Sequence, residues 1–249
     1  MTRLYKSPVG ALLILLLVLI FNEADGMYAN TFDHSKFHRI LASSVASGRV
    51  DYAKFRGNAD FNAYLSSIEN ARVTSLPADE QLAFWINAYN ALVIRNVLDN
   101  PGMKRPTDVK GFFDGKKFKA AGRMVTLNDI ENKIIRPQFK EPLIHFGLVC
   151  AARSCPPLLP KAYTGATVRR LLADNARAYL ASQYNGYDRA KNTLTLSKIF
   201  EWYKEDFGGD AGIRRFAKEY GTREMKEGLA AAPNAKLAFM EYDWTINSR

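Results

Sequence analysis

The feature that most constrains the fold is one long, uncharged helix. Residues 76–101 read LPADEQLAFWINAYNALVIRNVLDNP, and Pro77 and Pro101 mark its two ends. No charged residue occurs from position 82 to position 93, and apolar side chains fall on both faces of the predicted helix. A helix that is apolar all round is buried, so we expect the rest of the chain to pack around it.

Three polar residues interrupt this helix and need partners inside the protein. Glu80 and Asn87 fall on the face opposite the most apolar one, and Asn90 lies about 60° away from them. An unpaired buried amide costs about 1–3 kcal/mol. Two interpretations stay open for the asparagines, namely a polar wall that faces a cleft and a side-chain clamp on neighbouring backbone.

The first residues predict export. Arg3 and Lys6 precede an apolar run from Ala11 to Phe21, and small and polar residues follow up to Gly26. This layout is typical of a secretory signal peptide over residues 1–26, which leaves 27–249 as a single domain in the periplasm or outside the cell. The apolar run is shorter than the roughly 20 residues of a membrane span, so we expect no stable span after cleavage. An uncleaved signal anchor is the alternative.

The charge limits the possible partners. The chain has 35 Lys and Arg against 25 Asp and Glu, which gives a net charge of +10. A basic exported protein is attracted to anionic surfaces, and such a surface is one expected partner. The basic residues are interspersed with acidic ones, which argues against nucleic acid. No phosphate-binding loop, dinucleotide fingerprint, HExxH or GxSxG motif occurs, and no cofactor is expected.

The remaining pattern predicts an α+β fold with several helices packed around a small mixed or antiparallel sheet. Helical periodicity recurs near residues 37–45, 61–68, 168–180, 198–207 and 213–220. Two hairpins are predicted at 115–127 and 187–196, and strands at 142–150 and 236–247. We expect Pro137 to interrupt a further helix over 128–139.

The chemistry-bearing residues gather in HFGLVCAARSCPPL, residues 145–158, which holds His145 and both cysteines. A thiol becomes a strong nucleophile as a thiolate, and a nearby imidazole or guanidinium lowers its pKa. Cys155 lies in a proline-stiffened loop that could turn back toward His145, and Arg153 could add to the field. An orienting group for the imidazole is also required. The candidates are Glu80, Asn87, Asp129 and Glu131.

Other arrangements of the same residues remain open. In an oxidising compartment, Cys150 and Cys155 can form a disulfide if their Cα atoms lie within about 7 Å. Cys150 can also be a small core residue, with His145 bonded to a backbone carbonyl. A zinc site formed by Cys150, Cys155 and His145 would lack a fourth ligand. The histidine pair His34 and His38 is typical of polar surface. Thiol exchange is disfavoured because the C-x-x-C spacing is absent.

Five motifs occur in order along the chain, namely EQLAFWINAYNALVI, FFDGKKFKAAGRMVTLNDIENKIIRPQF, IHFGLVCAARSCPPL, LSKIFEWYKEDFGG and YDWTIN. Together they resemble the domain of unknown function 547 family over residues 50–247. The resemblance implies an exported bacterial α+β domain with a permuted papain-like arrangement. It further implies Cys155 as nucleophile and His145 as base. One departure is Asn132, which stands where similar domains commonly carry histidine, and it puts catalysis in doubt.

Two functional hypotheses follow. The first is a cell-envelope thiol hydrolase or acyltransferase that acts on an amide or ester of a small or polymeric envelope substrate. Its residues would be catalytic Cys155, His145, Glu131 and Asn87 and substrate-binding Arg153, Asn90 and Glu80, with no metal. The second is a non-catalytic envelope binding module that is locked by a Cys150–Cys155 disulfide.

Overall fold

The computed structural model describes residues 30–249, so the predicted signal peptide lies outside the described residues. In this part of the chain, no helix is long and apolar enough to cross a membrane. The helices are α1 (Ser35–Ser44), α2 (Ala59–Glu69), α3 (Ala78–Asp99), α4 (127–139, composite), α5 (Val168–Leu180), α6 (Ile199–Trp202), α7 (Gly209–Tyr220) and α8 (Arg223–Ala231).

The strands form three small sheets, and the α+β class is confirmed. They are β1 (Val45–Ala46), β2 (Arg49–Val50), β3 (Phe118–Ala120), β4 (Arg123–Val125), β5 (Gly186–Asp188), β6 (Thr193–Ser197) and β7 (Lys236–Met240). β1–β2, β3–β4 and β5–β6 are antiparallel hairpins, and β6 also pairs parallel with β7. The predicted hairpins at 115–127 and 187–196 are confirmed as β3–β4 and β5–β6, whereas β1–β2 is not predicted from the sequence.

Helix α3 is the centre of the core, as its sequence predicts. Every side chain from position 82 to position 94 is buried. The helix ends at Asp99, two residues before Pro101. Its buried amides bind backbone, because Asn87 exchanges two hydrogen bonds with Tyr163 and Asn96 donates to the Phe112 carbonyl oxygen. Through these side-chain amides, helix α3 also holds backbone segments that belong to no sheet.

The predicted strand at 142–150 is wrong, because this segment begins as a 3-10 helix over Pro142–Phe146. The residues after this helix do not need a neighbouring strand, because the Asn90 side chain forms hydrogen bonds with their backbone groups. Its Nδ2 donates to the Gly147 carbonyl oxygen at 2.8 Å, and its Oδ1 accepts from the Val149 N–H at 2.9 Å. A short apolar run suits a buried strand and a buried helical turn equally well, and the amide decides between them.

Pro137 does not interrupt its helix, contrary to expectation. Helix α4 starts as an α-turn at Leu127–Asp129, widens to a π-helix over Ile130–Ile135 and returns to an α-turn at Arg136–Phe139. Pro137 follows directly after the π-helical segment, in the last α-turn, and the helix continues through it to Phe139.

The last predicted strand is shorter than expected, because β7 ends at Met240. The C-terminal segment, residues 241–249, then runs along the cysteine loop, defined here as residues 150–157. The Arg153 N–H donates to the Thr245 carbonyl oxygen at 2.8 Å, and the Asn247 N–H donates to the Ala151 carbonyl oxygen at 2.9 Å. These bonds fix the loop against the end of the chain.

We predict that Asn90→Ala lowers the free energy of unfolding by about 2 kcal/mol or more, because it leaves a buried carbonyl and a buried N–H unpaired. Urea denaturation followed by circular dichroism measures this change. Asn62→Ala, an exposed replacement on α2, is the control and should shift stability by less than about 0.5 kcal/mol. Equal effects of the two substitutions would contradict the clamp.

Candidate functional site

A cavity of about 290 Å³ lies where α4, the cysteine loop, α6 and the C-terminal segment meet. Its wall joins residues that are far apart in the sequence. Polar side chains and the two cysteines form one part, and aromatic rings form the other. The lining includes Tyr89, Phe113, Asn128, Glu131, Asn132, His145, Cys150, Cys155, Trp202, Tyr203, Tyr242 and Trp244.

The two cysteines of the chain are joined by a disulfide in this wall, with their Cα atoms 6.2 Å apart. The loop turns sharply at Ala151, whose φ of 64° lies in the left-handed region. The Tyr242 hydroxyl lies 3.2 Å from the Cys155 sulfur and 3.3 Å from the Cys150 sulfur. The disulfide that the sequence offered as an alternative is therefore the arrangement found.

His145 lies in the same cavity and is held from two sides. Its Nε2 is 2.8 Å from the Asp206 carboxylate, and its ring stacks on Tyr203 with the centroids 3.9 Å apart. The side chain itself is only 2% exposed. A ring fixed in this way has a set orientation, which is the requirement for a directed proton acceptor.

Asp206 is the orienting group, and sequence reasoning missed it. Arg136 donates two hydrogen bonds to the same carboxylate, from Nε at 2.6 Å and from Nη2 at 2.7 Å. Burial opposes ionisation of Asp206, but the hydrogen bonds from His145 and Arg136 outweigh burial and hold its pKa well below its usual range. Asp206 is thus a carboxylate across the ordinary pH range.

Polar side chains at a spacing of four residues on α4 extend this network. Arg136 Nη1 donates to Asn132 Oδ1 at 2.7 Å, and Asn132 Nδ2 donates to Asn128 Oδ1 at 2.8 Å. The π-helical turn carries Glu131 and Asn132 on the cavity wall. Such turns are frequent at functional sites. Asn132, the one departure from the family pattern, is therefore part of this site.

Glu131 lies among three tyrosines of the wall. Burial, together with the nearby Glu131 charge, raises the pKa of Tyr89 and of Tyr203 above the ordinary phenol value. Burial also raises the pKa of Tyr242. These hydroxyls remain protonated and can donate hydrogen bonds to the carboxylate or to a ligand.

Three aromatic residues form the rim of the cavity, here called the aromatic rim: Trp202, Tyr242 and Trp244. The rings of Trp202 and Trp244 stack with centroids 5.7 Å apart, and Tyr242 lies within 4.8 Å and 4.7 Å of them. Trp202 is 47% exposed, which is unusual for so large an apolar side chain. The rim therefore adds an apolar surface to a wall that also carries Asn128, Glu131 and Asn132.

The structure places the other predicted residues elsewhere. Asn87 and Asn90 bind backbone, as the clamp interpretation describes, and neither lines the cavity. Glu80 accepts a hydrogen bond from the Gly165 N–H at 2.9 Å. A side chain on Gly165 would lie 2.5 Å from the Glu80 carboxylate, so this contact needs glycine. The predicted catalytic or substrate role of these three residues gains no geometric support.

Two further candidates also lie outside this cavity. Asp129 caps its own helix through Thr126 and pairs with Lys133. Arg153 lines a second cavity on the other side of the cysteine loop. No group of three or more His, Cys, Asp or Glu within residues 30–249 is arranged to hold a metal ion.

The family model described as "Protein of unknown function, DUF547" matches residues 73–180. Residues 73–180 are thus similar to this family. The resemblance is confirmed over those residues, which include α3, α4, His145, the cysteine loop and α5. The aromatic rim and Asp206 complete the cavity from beyond the matched region. No curated protein and no solved structure matches the chain.

We predict that Asp206→Asn flattens the acid dependence of stability. Because the pKa of Asp206 is lowered, its stabilisation is present above the ordinary value of 3.8 and is lost as the pH falls below it. Free energies of unfolding measured in urea from about pH 5 to about pH 2 should fall less steeply in this variant. Asp174→Asn, whose ion pairs are exposed, should keep the wild-type slope. Parallel slopes for all three proteins would refute the assignment.

Proposed function

We propose that this protein is a binding module of the cell envelope that holds a sugar ring of an envelope polymer in the disulfide-lined cavity. The observation that carries the proposal is the Cys150–Cys155 disulfide next to the aromatic rim. With both cysteines of the chain in this bond, the oxidised protein has no thiolate to act as a nucleophile.

The size and the lining of the cavity support a residue-sized ligand. Its volume of about 290 Å³ is just below the range of small-molecule sites, which is about 300–1,000 Å³. Such a cavity fits one unit of a polymer and leaves the neighbouring units in solvent. Export, which the first 26 residues predict, would place such a polymer within reach.

The chemistry of the wall favours a sugar. A pyranose ring has an apolar C–H face that packs on aromatic rings, and hydroxyl groups around its edge. Trp202 and Trp244 supply the aromatic surface. Asn128 and Glu131 supply acceptors for hydroxyl donors. Lys and Arg are absent from the lining that is described, so an uncharged ligand fits better than an anion.

We predict that Trp202→Ala weakens binding to N-acetylglucosamine oligosaccharides about tenfold, because the apolar face of the sugar loses its packing partner. Tryptophan fluorescence and isothermal titration of protein purified without reductant measure the dissociation constant. Met124→Ala removes an even more exposed apolar side chain on β4, outside the cavity, and should leave the constant unchanged. The proposal fails if wild type does not bind, or if both variants bind as wild type does.

A second function is favoured by one observation, namely that Cys155, His145 and Glu131 line the same cavity. After reduction of the disulfide by a thiol reductant, Cys155 would attack the carbonyl carbon of an amide or ester. His145 would accept the thiol proton and return it to the leaving group. The resulting thioester would be hydrolysed by water, and Asp206 would orient the imidazole throughout.

We predict from this second function that Cys150→Ser hydrolyses p-nitrophenyl acetate without reductant, because the substitution leaves Cys155 as a free thiol. Cys155→Ser, which frees Cys150 instead, is the matched control and should be inactive. Iodoacetamide labelling from about pH 5 to about pH 9 should give Cys155 an apparent pKa well below about 8.5. Equal labelling of both variants near the ordinary value, with no hydrolysis, would exclude the thiol hydrolase.

A further inference from the structure

A second cavity, of about 480 Å³, lies on the opposite side of the cysteine loop. The hairpin β1–β2, the loop residues 152–160 and helix α5 enclose it. At the hairpin tip, Ser47 and Gly48 have φ values of 50° and 73°. A Cβ atom on Gly48 would lie 2.7 Å from the Pro157 Cβ, so glycine allows the hairpin to touch the loop. Cys155 lines both cavities.

The charge in this cavity has one sign. Its lining includes Arg49 and Arg153 and no Asp or Glu. Neither arginine forms an ion pair or a side-chain hydrogen bond with any residue in the range 30–249. The carboxyl group of Asp243 lies near both arginines. Its pKa is lowered mainly by its hydrogen bonds with Thr245, and the positive charges of Arg153 and Arg49 lower it further.

Arg49 carries the clearest sign of a missing partner. Its Nη1 is buried from solvent and has no hydrogen-bond partner among the described residues. Buried guanidinium nitrogens are normally paired, because an unpaired donor loses its water without compensation. Two neighbouring polar groups are bound elsewhere. The Asn175 Nδ2 donates to two backbone carbonyl oxygens, and the Tyr179 hydroxyl bonds to the Ser154 carbonyl oxygen and the Ser197 hydroxyl.

We infer that this second cavity binds a small anionic group, a carboxylate or a phosphate, between Arg49 and Arg153. Guanidinium groups hold both anions through paired N–H donors. The sequence offered Arg153 as a substrate-binding residue of the thiol site, and its position suits this separate anion site instead. The inference is independent of the sugar-binding proposal, because the two cavities share Cys155 but no charged residue.

Titration of the oxidised protein with inorganic phosphate, and separately with acetate, at constant ionic strength tests the inference. Arginine Nε–H resonances and the backbone amides of residues 45–50 and 151–160 report the site by NMR. We expect saturable shifts confined to these groups with at least one of the two anions. The tighter of the two identifies the anion class, and the absence of saturable shifts with both would overturn the inference.

Three arginine variants complete the test. Arg49→Gln and Arg153→Gln should each weaken anion binding about tenfold or more, as expected for the loss of a charge-assisted hydrogen bond. Arg56→Gln removes the same charge from an exposed position outside the cavity and should change affinity less than about twofold. Equal weakening in all three would mean attraction to net charge only and would refute the site.

Two further measurements keep the result interpretable. Arg153 is exposed, so its variant should fold normally even if the Arg49 variant loses stability, and thermal unfolding checks both. The Trp202→Ala variant should bind the anion as wild type does. Loss of sugar binding with retained anion binding would separate a failure of one proposal from a failure of the other.

Discussion

The architecture depends on side-chain amides that a buried helix uses in place of strand neighbours. Asn87, Asn90 and Asn96 of α3 each bind the backbone of a distant segment. The bonds from Asn90 satisfy the turn that follows His145, so this segment needs no sheet around it. The chain therefore enters the disulfide-bonded loop from a turn whose backbone is held by Asn90 of α3.

The cysteine loop separates two cavities of opposite character. The first contains Glu131 and the aromatic rim, and the second contains Arg49 and Arg153. A ligand in either cavity would contact the same short loop, because Cys155 lines both. The C-terminal segment holds this loop through backbone hydrogen bonds, and the tip of hairpin β1–β2 packs against it at Pro157. The position of the loop between the two cavities is thus fixed by contacts on several sides.

Local pattern predicts most helices and two of the three hairpins among residues 30–249, because periodicity and turn residues are local properties, but it misses α8 and hairpin β1–β2. The same reasoning fails at 142–150, where an apolar run is compatible with two conformations and a residue far away in sequence, Asn90, selects one. The cavity shows the same limit. His145, Cys155 and Glu131 are found from residue type, whereas Asp206 lies 61 residues from its partner, in a turn after α6. Only the packing of α4 against that turn brings Asp206 and Arg136 together.

The position of His145 bears on both proposed functions. Asp206 and Tyr203 hold its ring, and neither belongs to the cysteine loop. Opening the disulfide would free the sulfurs but would leave the imidazole and its carboxylate partner in place. The pair of His145 and Asp206 therefore does not depend on the disulfide. Glu131 and the rings of the aromatic rim also lie outside the loop, although the Tyr242 hydroxyl lies against both sulfurs. Of the two proposed functions, only the thiol hydrolase requires the disulfide to open, because only that function needs a free Cys155 thiol.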